Sequence, residues 1–198
     1  MLPPATPHVG AVAADLAGVE PWSREAADEL IGTLARERDS LEGLLFRLTS
    51  ARHLLQTGST RFLARVAHDI ERTAELVREA ELRRASVTDA VLTALGRPGG
   101  GTMRELVERA PDPYRSVLDD HRQAMGRLAA EVGAVAETAH ALAQQGRARL
   151  EAELKETVPD HDDPLERALQ LEVTLSGYDA ILGATSPIVL PALSAFLS

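Results

Sequence analysis

The chain of 198 residues contains no cysteine, which excludes a disulfide framework, a thiolate metal site and a cysteine nucleophile. Aromatic side chains are almost as scarce: Trp22, Phe46, Phe62, Tyr114, Tyr178 and Phe196 are all there are. Without large flat rings to fill a wide core or line a deep pocket, the apolar residues point to helix-on-helix packing, and an enzyme is not expected. No stretch approaches the ~18 consecutive apolar residues of a membrane span. Met1-Leu2-Pro3-Pro4 has neither the positive start nor the apolar run of a signal peptide. The expected setting is cytoplasmic, with no membrane insertion. Positive charge is missing from one end, since Arg167 is the only cation in residues 158–198 of a chain with net charge −9. Such an end does not suit nucleic acid or an anionic membrane, which are held by clustered Lys and Arg.

What is present is heptad spacing. Leu34, Leu41, Leu48 and Leu55 recur every seven residues beside Leu30, Leu44 and Ala51, a companion row broken by Glu37. After Gln56-Thr57-Gly58-Ser59-Thr60 the period returns in Leu63, Ile70, Val77 and Val91, beside Val66, Ala80, Val87 and Ala94. Each pattern makes one apolar stripe along a helix, and the short polar turn makes the two helices antiparallel partners. The spacing predicts helices over about 23–56 and 60–95. Ser23 caps the first, Gly58 ends it in a left-handed conformation, and Ser59 or Thr60 caps the second. Residues 1–22 have no stable period and read as a disordered lead-in.

Thr102-Met103-Arg104-Glu105 has capping-box form and opens a short helix over 102–110, with Met103, Leu106 and Val107 inward. Asp112 as cap and Pro113 at the first helical position open a third long helix over 113–157. Its rows are Tyr114, His121, Leu128, Val135 and Leu142 beside Leu118, Met125, Val132 and Ala139. The expected fold is all-α: an elongated antiparallel hairpin or three-helix bundle with coiled-coil packing, then an acidic linker and an amphipathic C-terminal segment over 158–198. In that segment Ala168, Leu171, Leu175, Tyr178 and Leu182 form a stripe, while Leu165, Leu169, Val173 and Ile181 add apolar surface elsewhere. Ile188, Leu190, Leu193, Phe196 and Leu197 follow. Such a segment either folds back as a fourth side of the bundle or binds another helix through anchors three, four and seven apart.

Other motifs have plainer readings. Glu137-Thr138-Ala139-His140 has the Glu-x-x-His spacing of di-iron bundles, but such a site needs a second copy, and none exists. No metal or cofactor is expected. His121, on an apolar row, reads as a hydrogen-bonded interface histidine. Asp160-His161-Asp162-Asp163 reads as a linker, and Gly96-Arg97-Pro98-Gly99-Gly100-Gly101, lacking a Gly-Lys-Ser/Thr ending, as a flexible connection.

Leu41-Glu42-Gly43-Leu44-Leu45-Phe46-Arg47-Leu48 and Leu54 through Ala64 resemble the FlgN family of flagellar type III export chaperones in its actinobacterial form. Glu79-Ala80-Glu81-Leu82-Arg83-Arg84-Ala85, the Thr102–Arg122 region and Gly177 through Thr185 are similar as well, in the same order. Phe62 stands where many relatives would have tryptophan. The resemblance implies a chaperone of hook-associated proteins that binds their C-terminal helices, prevents premature assembly and delivers them to a membrane protein of the export gate. It maps client binding onto Leu165 to Leu197, and transient gate docking onto Tyr178. A self-associating coiled-coil scaffold is the rival reading, and homo-oligomerisation is left open.

Overall fold

The structure is a computed structural model, and it describes residues 22–156, 164–186, 188 and 191–198, except for the side chains of residues 156, 164–168, 191 and 192. The lead-in, save Trp22, and the 158–163 linker lie outside the described residues. Among the described residues six α-helices follow in order: α1 Arg24–Thr57, α2 Leu63–Ala94, α3 Met103–Arg109, α4 Tyr114–Glu156, α5 Pro164–Thr185 and α6 Pro191–Leu197. A single 3₁₀ turn, Thr60–Phe62, precedes α2, and no strand occurs among the described residues. The fold is all-α.

The residues cluster into two compact units that do not follow chain order. The first unit holds the described residues up to Asp39, Arg78–Gly126 and Pro191–Ser198. The second holds Ser40–Val77 and the described part of Arg127–Leu190. In the first, Leu30, Leu34, Val87, Val91 and Leu92 of α1 and α2 pack with Leu118 and Met125 of α4, and all are buried. Met103 and Leu106 of α3 close that core. In the second, Leu41, Leu44, Leu48 and Ala51 meet Leu63, Ala67, Ile70 and Val77, with Val132, Ala136 and Ala139 of α4. Of the two rows on α4, the one from Leu118 through Ala139 is buried throughout, while Tyr114, His121, Leu128 and Leu142 lie half-exposed.

The helix ends follow local chemistry. Ser23 Oγ accepts from the Ala26 N–H at 3.3 Å, and Gly58 (φ +70°) closes α1. Thr102 Oγ1 accepts from the Glu105 N–H at 3.3 Å and Glu105 Oε2 from the Thr102 N–H at 3.2 Å, completing the capping box of α3. Two expectations are corrected. Ser59 makes no side-chain cap, and the chain enters α2 through the 3₁₀ turn. Asp112 and Pro113, joined by a cis peptide bond, belong to the turn before α4, which starts at Tyr114.

Candidate functional site

Position 37 interrupts one apolar row and position 84 interrupts the row opposite, and the hairpin brings the two charges together. Arg84 Nε donates to Glu37 Oε1 at 3.0 Å and lies 2.8 Å from Oε2, which has no hydrogen bond of its own. Their side chains are 4% and 0% exposed, so the pair sits where either charge alone would be expensive. Burial pushes the Glu37 carboxyl above the usual carboxylate range, against the opposing pull of Arg84.

The C-terminal helix α6 completes this cluster. The Phe196 ring lies under the Arg84 guanidinium, with Cζ 3.9 Å from its centroid, a cation–π contact in a water-poor setting. One turn earlier the Leu193 N–H donates to the Glu81 carboxylate. Burial raises the Glu81 carboxyl, opposed by Arg84 and Arg78. Leu193 and Phe196 are both buried, while Ser194 and Ala195 face outward. In the sequence Glu37 is visible only as an interruption of its row, and Arg84 carries no mark of its role. The usable signal was that each facing row carries one interruption, of opposite sign, at matching distance from the turn.

Helix α5, in the second unit, presents its apolar residues differently. Gly177 lies against the start of α2, where a Cβ would come within 3.2 Å of Leu63 Cβ. That close approach turns Gly177, Ile181, Ala184 and Thr185 inward, and all are buried. The stripe read from the sequence, Leu171, Leu175, Tyr178 and Leu182, is therefore left half-exposed at its edge. Leu169 and Val173, one turn apart, are 54% and 68% exposed. Ile188 and Leu197 are half-buried, and the side chains of Leu165 and Leu190 lie outside those described.

Tyr178 rests on Gly146 of α4, so closely that a Cβ there would overlap the ring. Together they line a cavity of about 610 Å³ with Thr57, Gly58, Arg149 and Glu153. Arg147 Nε donates to Asp179 Oδ1 at 2.7 Å, a second tie between α4 and α5. His140 supplies a third. The Thr185 hydroxyl gives its one hydrogen to the Ile181 carbonyl at 2.7 Å, so it accepts from His140 Nδ1–H at 3.0 Å. Gln144 Nε2 then donates to His140 Nε2 at 3.1 Å. Both ring nitrogens are thus engaged, and no group of three or more metal-ligating side chains occurs among the described residues. His121 departs from its expectation, because its buried Nδ1 has no hydrogen-bond partner among the described residues. Burial, and then Arg38, hold its pKa below the usual histidine value, with Asp120 opposing.

The 96–101 connection is also corrected. It is tied down by the Arg97 N–H to the Leu92 carbonyl at 2.8 Å, the Gly100 N–H to Asp89 Oδ1 at 3.1 Å and an Arg97–Glu105 ion pair at 3.0 Å. Gly99 and Gly100, at φ +102° and +89°, allow the backbone to turn toward Asp89 as a residue with a Cβ would not.

Among the described residues no helix is long and apolar enough to cross a membrane. Neither a curated protein nor a solved structure matches the chain. The model of the FlgN protein family matches residues 26–163, from the start of α1 through the end of α4 and on to α5, whose first residue lies just beyond the match. With that match over most of its length, the chain belongs to the FlgN family of flagellar export chaperones.

Proposed function

We propose that the chain holds hook-associated proteins, the clients of its family, by their C-terminal helices in the cytoplasm and passes them to the type III export gate. Helices α5 and α6 are the client-binding segment in this reading. A client whose terminal helices pack in a polymer has unpaired apolar stripes before assembly. A chaperone helix with a matching stripe covers them at ~25 cal/mol per Å² of apolar area, less the cost of ordering the interface. The result is binding strong enough to prevent assembly and weak enough to reverse.

The observation that carries the reading is the apolar ridge of α5. Leu169 and Val173 stand mostly exposed, flanked by half-exposed Leu171 and Leu175, in the i, i+4 arrangement that helix-to-helix docking uses. The chain's own heptad seams are covered at Leu34, Leu41, Leu48 and Ile70, and this favours the chaperone over a self-associating scaffold. Ile181, Leu193 and Phe196, buried in the free chain, join the interface only if their helices lift. Half-exposed Tyr178 is proposed to make the transient contact with the gate.

The test is calorimetric titration of the full chain with purified hook-associated proteins, whole and lacking their C-terminal helices. Whole clients should bind and the shortened ones should not. Equal binding of both forms would contradict the reading.

A further inference from the structure

Beside the Arg84–Phe196 contact, α2 and the 99–102 loop enclose a groove of about 670 Å³, entirely within the first unit. Its floor carries an anomaly. Thr57, Thr73, Thr138, Thr174 and Thr185 each lie 2.7–2.9 Å from the carbonyl four residues back and donate to it, as helical threonines commonly do. Thr88 is 3% exposed, lines the groove, and has no hydrogen-bond partner for Oγ1 among the described residues. Glu81, two turns earlier on the same face of α2, is in the same condition at Oε1. The two side chains, about 10 Å apart along the helix axis, both line the groove, the Thr88 hydroxyl with its hydrogen undonated and the Glu81 oxygen without a donor. Leaving them so costs free energy that incoming polar groups would recover.

The charges indicate what kind of donor. Arg84 is already met by Glu37, so the walls retain the Glu81 and Asp89 carboxylates against Arg78. The excess is negative. Leu82, 74% exposed, forms an apolar lip beside the Phe196 ring. Apolar walls, a carboxylate oxygen lacking a donor and net negative charge suit a basic side chain, whose methylene stem packs on Leu82 while its head reaches Glu81.

We propose that this groove is a second contact site for the client, resting on the chaperone reading above. It takes a helical segment lying along α2, with a lysine or arginine donating to Glu81 Oε1 and a polar side chain two turns away meeting Thr88 Oγ1. Nothing in the family match assigns a role to this face. It would select among apolar client helices those with a basic residue in the right place.

Ser194→Cys gives a unique labelling site, because the chain has no cysteine, and Ser194 is exposed on α6 beside the groove without lining it. A fluorophore there reports binding of a synthetic amphipathic helical peptide with one central lysine, and of its twin with glutamine. The lysine peptide should bind roughly tenfold more tightly than its twin, the effect of one charge-assisted hydrogen bond. Glu81→Gln, which keeps an acceptor for the Leu193 N–H, should abolish that preference. Thr88→Val should weaken both peptides a few-fold. Equal binding of the two peptides to the unsubstituted groove overturns the proposal, whatever hook-associated proteins do.

Those proteins supply the second arm. Glu81→Gln should bind them roughly tenfold more weakly than the wild type does, with an unchanged helical circular dichroism signal. If they bind the two forms equally, the groove is not part of the client seat, and the chaperone reading stands without it. If they bind neither form while the lysine preference persists, the chaperone reading fails and the groove stands as a site for basic helices.

Discussion

The two helices of the C-terminal segment have similar apolar character and opposite fates. In α6, a helix of seven residues, Leu193 and Phe196 are buried, and charged groups of α2 hold both, Glu81 at the backbone and Arg84 on the ring. In α5, a helix of 22 residues, close packing follows the line from Gly177 to Ala184 and leaves Leu169 and Val173 in solvent. A helix as short as α6 is not stable alone and exists through its contacts. One as long as α5 can hold its shape while offering a face. The difference teaches that the amount of apolar surface in a segment does not decide whether it is free to bind. Specific partners in the neighbouring helices do.

The contrast can be broken most severely at Arg84. Arg84→Ala strands the buried Glu37 carboxylate and removes the support of Phe196, so unfolding in denaturant should show a loss of roughly 3–5 kcal/mol. A loss under about 1 kcal/mol would mean that the pair does not organise the first unit. Replacing Glu37 and Arg84 together by leucine and methionine should restore most of the stability, while loosening α6 by removing its cation–π contact.

In the second unit the corresponding test is Gly146→Ala. The added methyl occupies the place of the Tyr178 ring, and overpacking of this kind costs about 1–3 kcal/mol. Displacement of the ring should also appear as a change in tyrosine fluorescence. Unchanged stability and fluorescence would show that Tyr178 does not depend on the glycine.

His121 sharpens the comparison through pH. Its pKa is lowered in the folded chain from the ordinary 6.5, so the unfolded chain takes up its proton more readily than the folded one. The stability tied to neutral His121 is complete above the unfolded value and is lost as pH falls through the folded value. Thermal unfolding of His121→Gln should therefore vary less than that of the wild type between about pH 7.5 and pH 5. Parallel profiles would contradict the assignment. The smallest effect is expected at the ridge, where Leu169→Ser and Val173→Ser should each change stability by no more than about 0.5 kcal/mol.

Much of the frame was legible in the residues. The heptad rows named α1, α2 and α4, Gly58 marked the turn, and Thr102 with Glu105 marked the start of α3, because these features depend on neighbours a few positions away. Glu37 was visible as an interruption, and Arg84 as the position missing between Val77 and Val91. What joins them is the alignment of the hairpin, a relation between distant residues that periodicity alone leaves implicit. The inward line of α5 is hidden from the sequence for a similar reason: Gly177 carries no apolar side chain, yet its lack of one permits the closest approach. The glycines of 96–101 suggest flexibility because glycine indicates what a backbone can adopt and not which acceptors, here Asp89 and Leu92, will hold it. The unpaired hydroxyl of Thr88 left no trace in the pattern.

The central claim is that a stably folded α5 offers its exposed ridge to the client. The most direct measurement is the affinity of the Leu169→Ser, Val173→Ser double variant for a purified hook-associated protein, taken together with its melting temperature. Binding should be at least tenfold weaker than that of the wild type, with melting unchanged within a few degrees. Wild-type affinity in a variant that melts normally would contradict that claim.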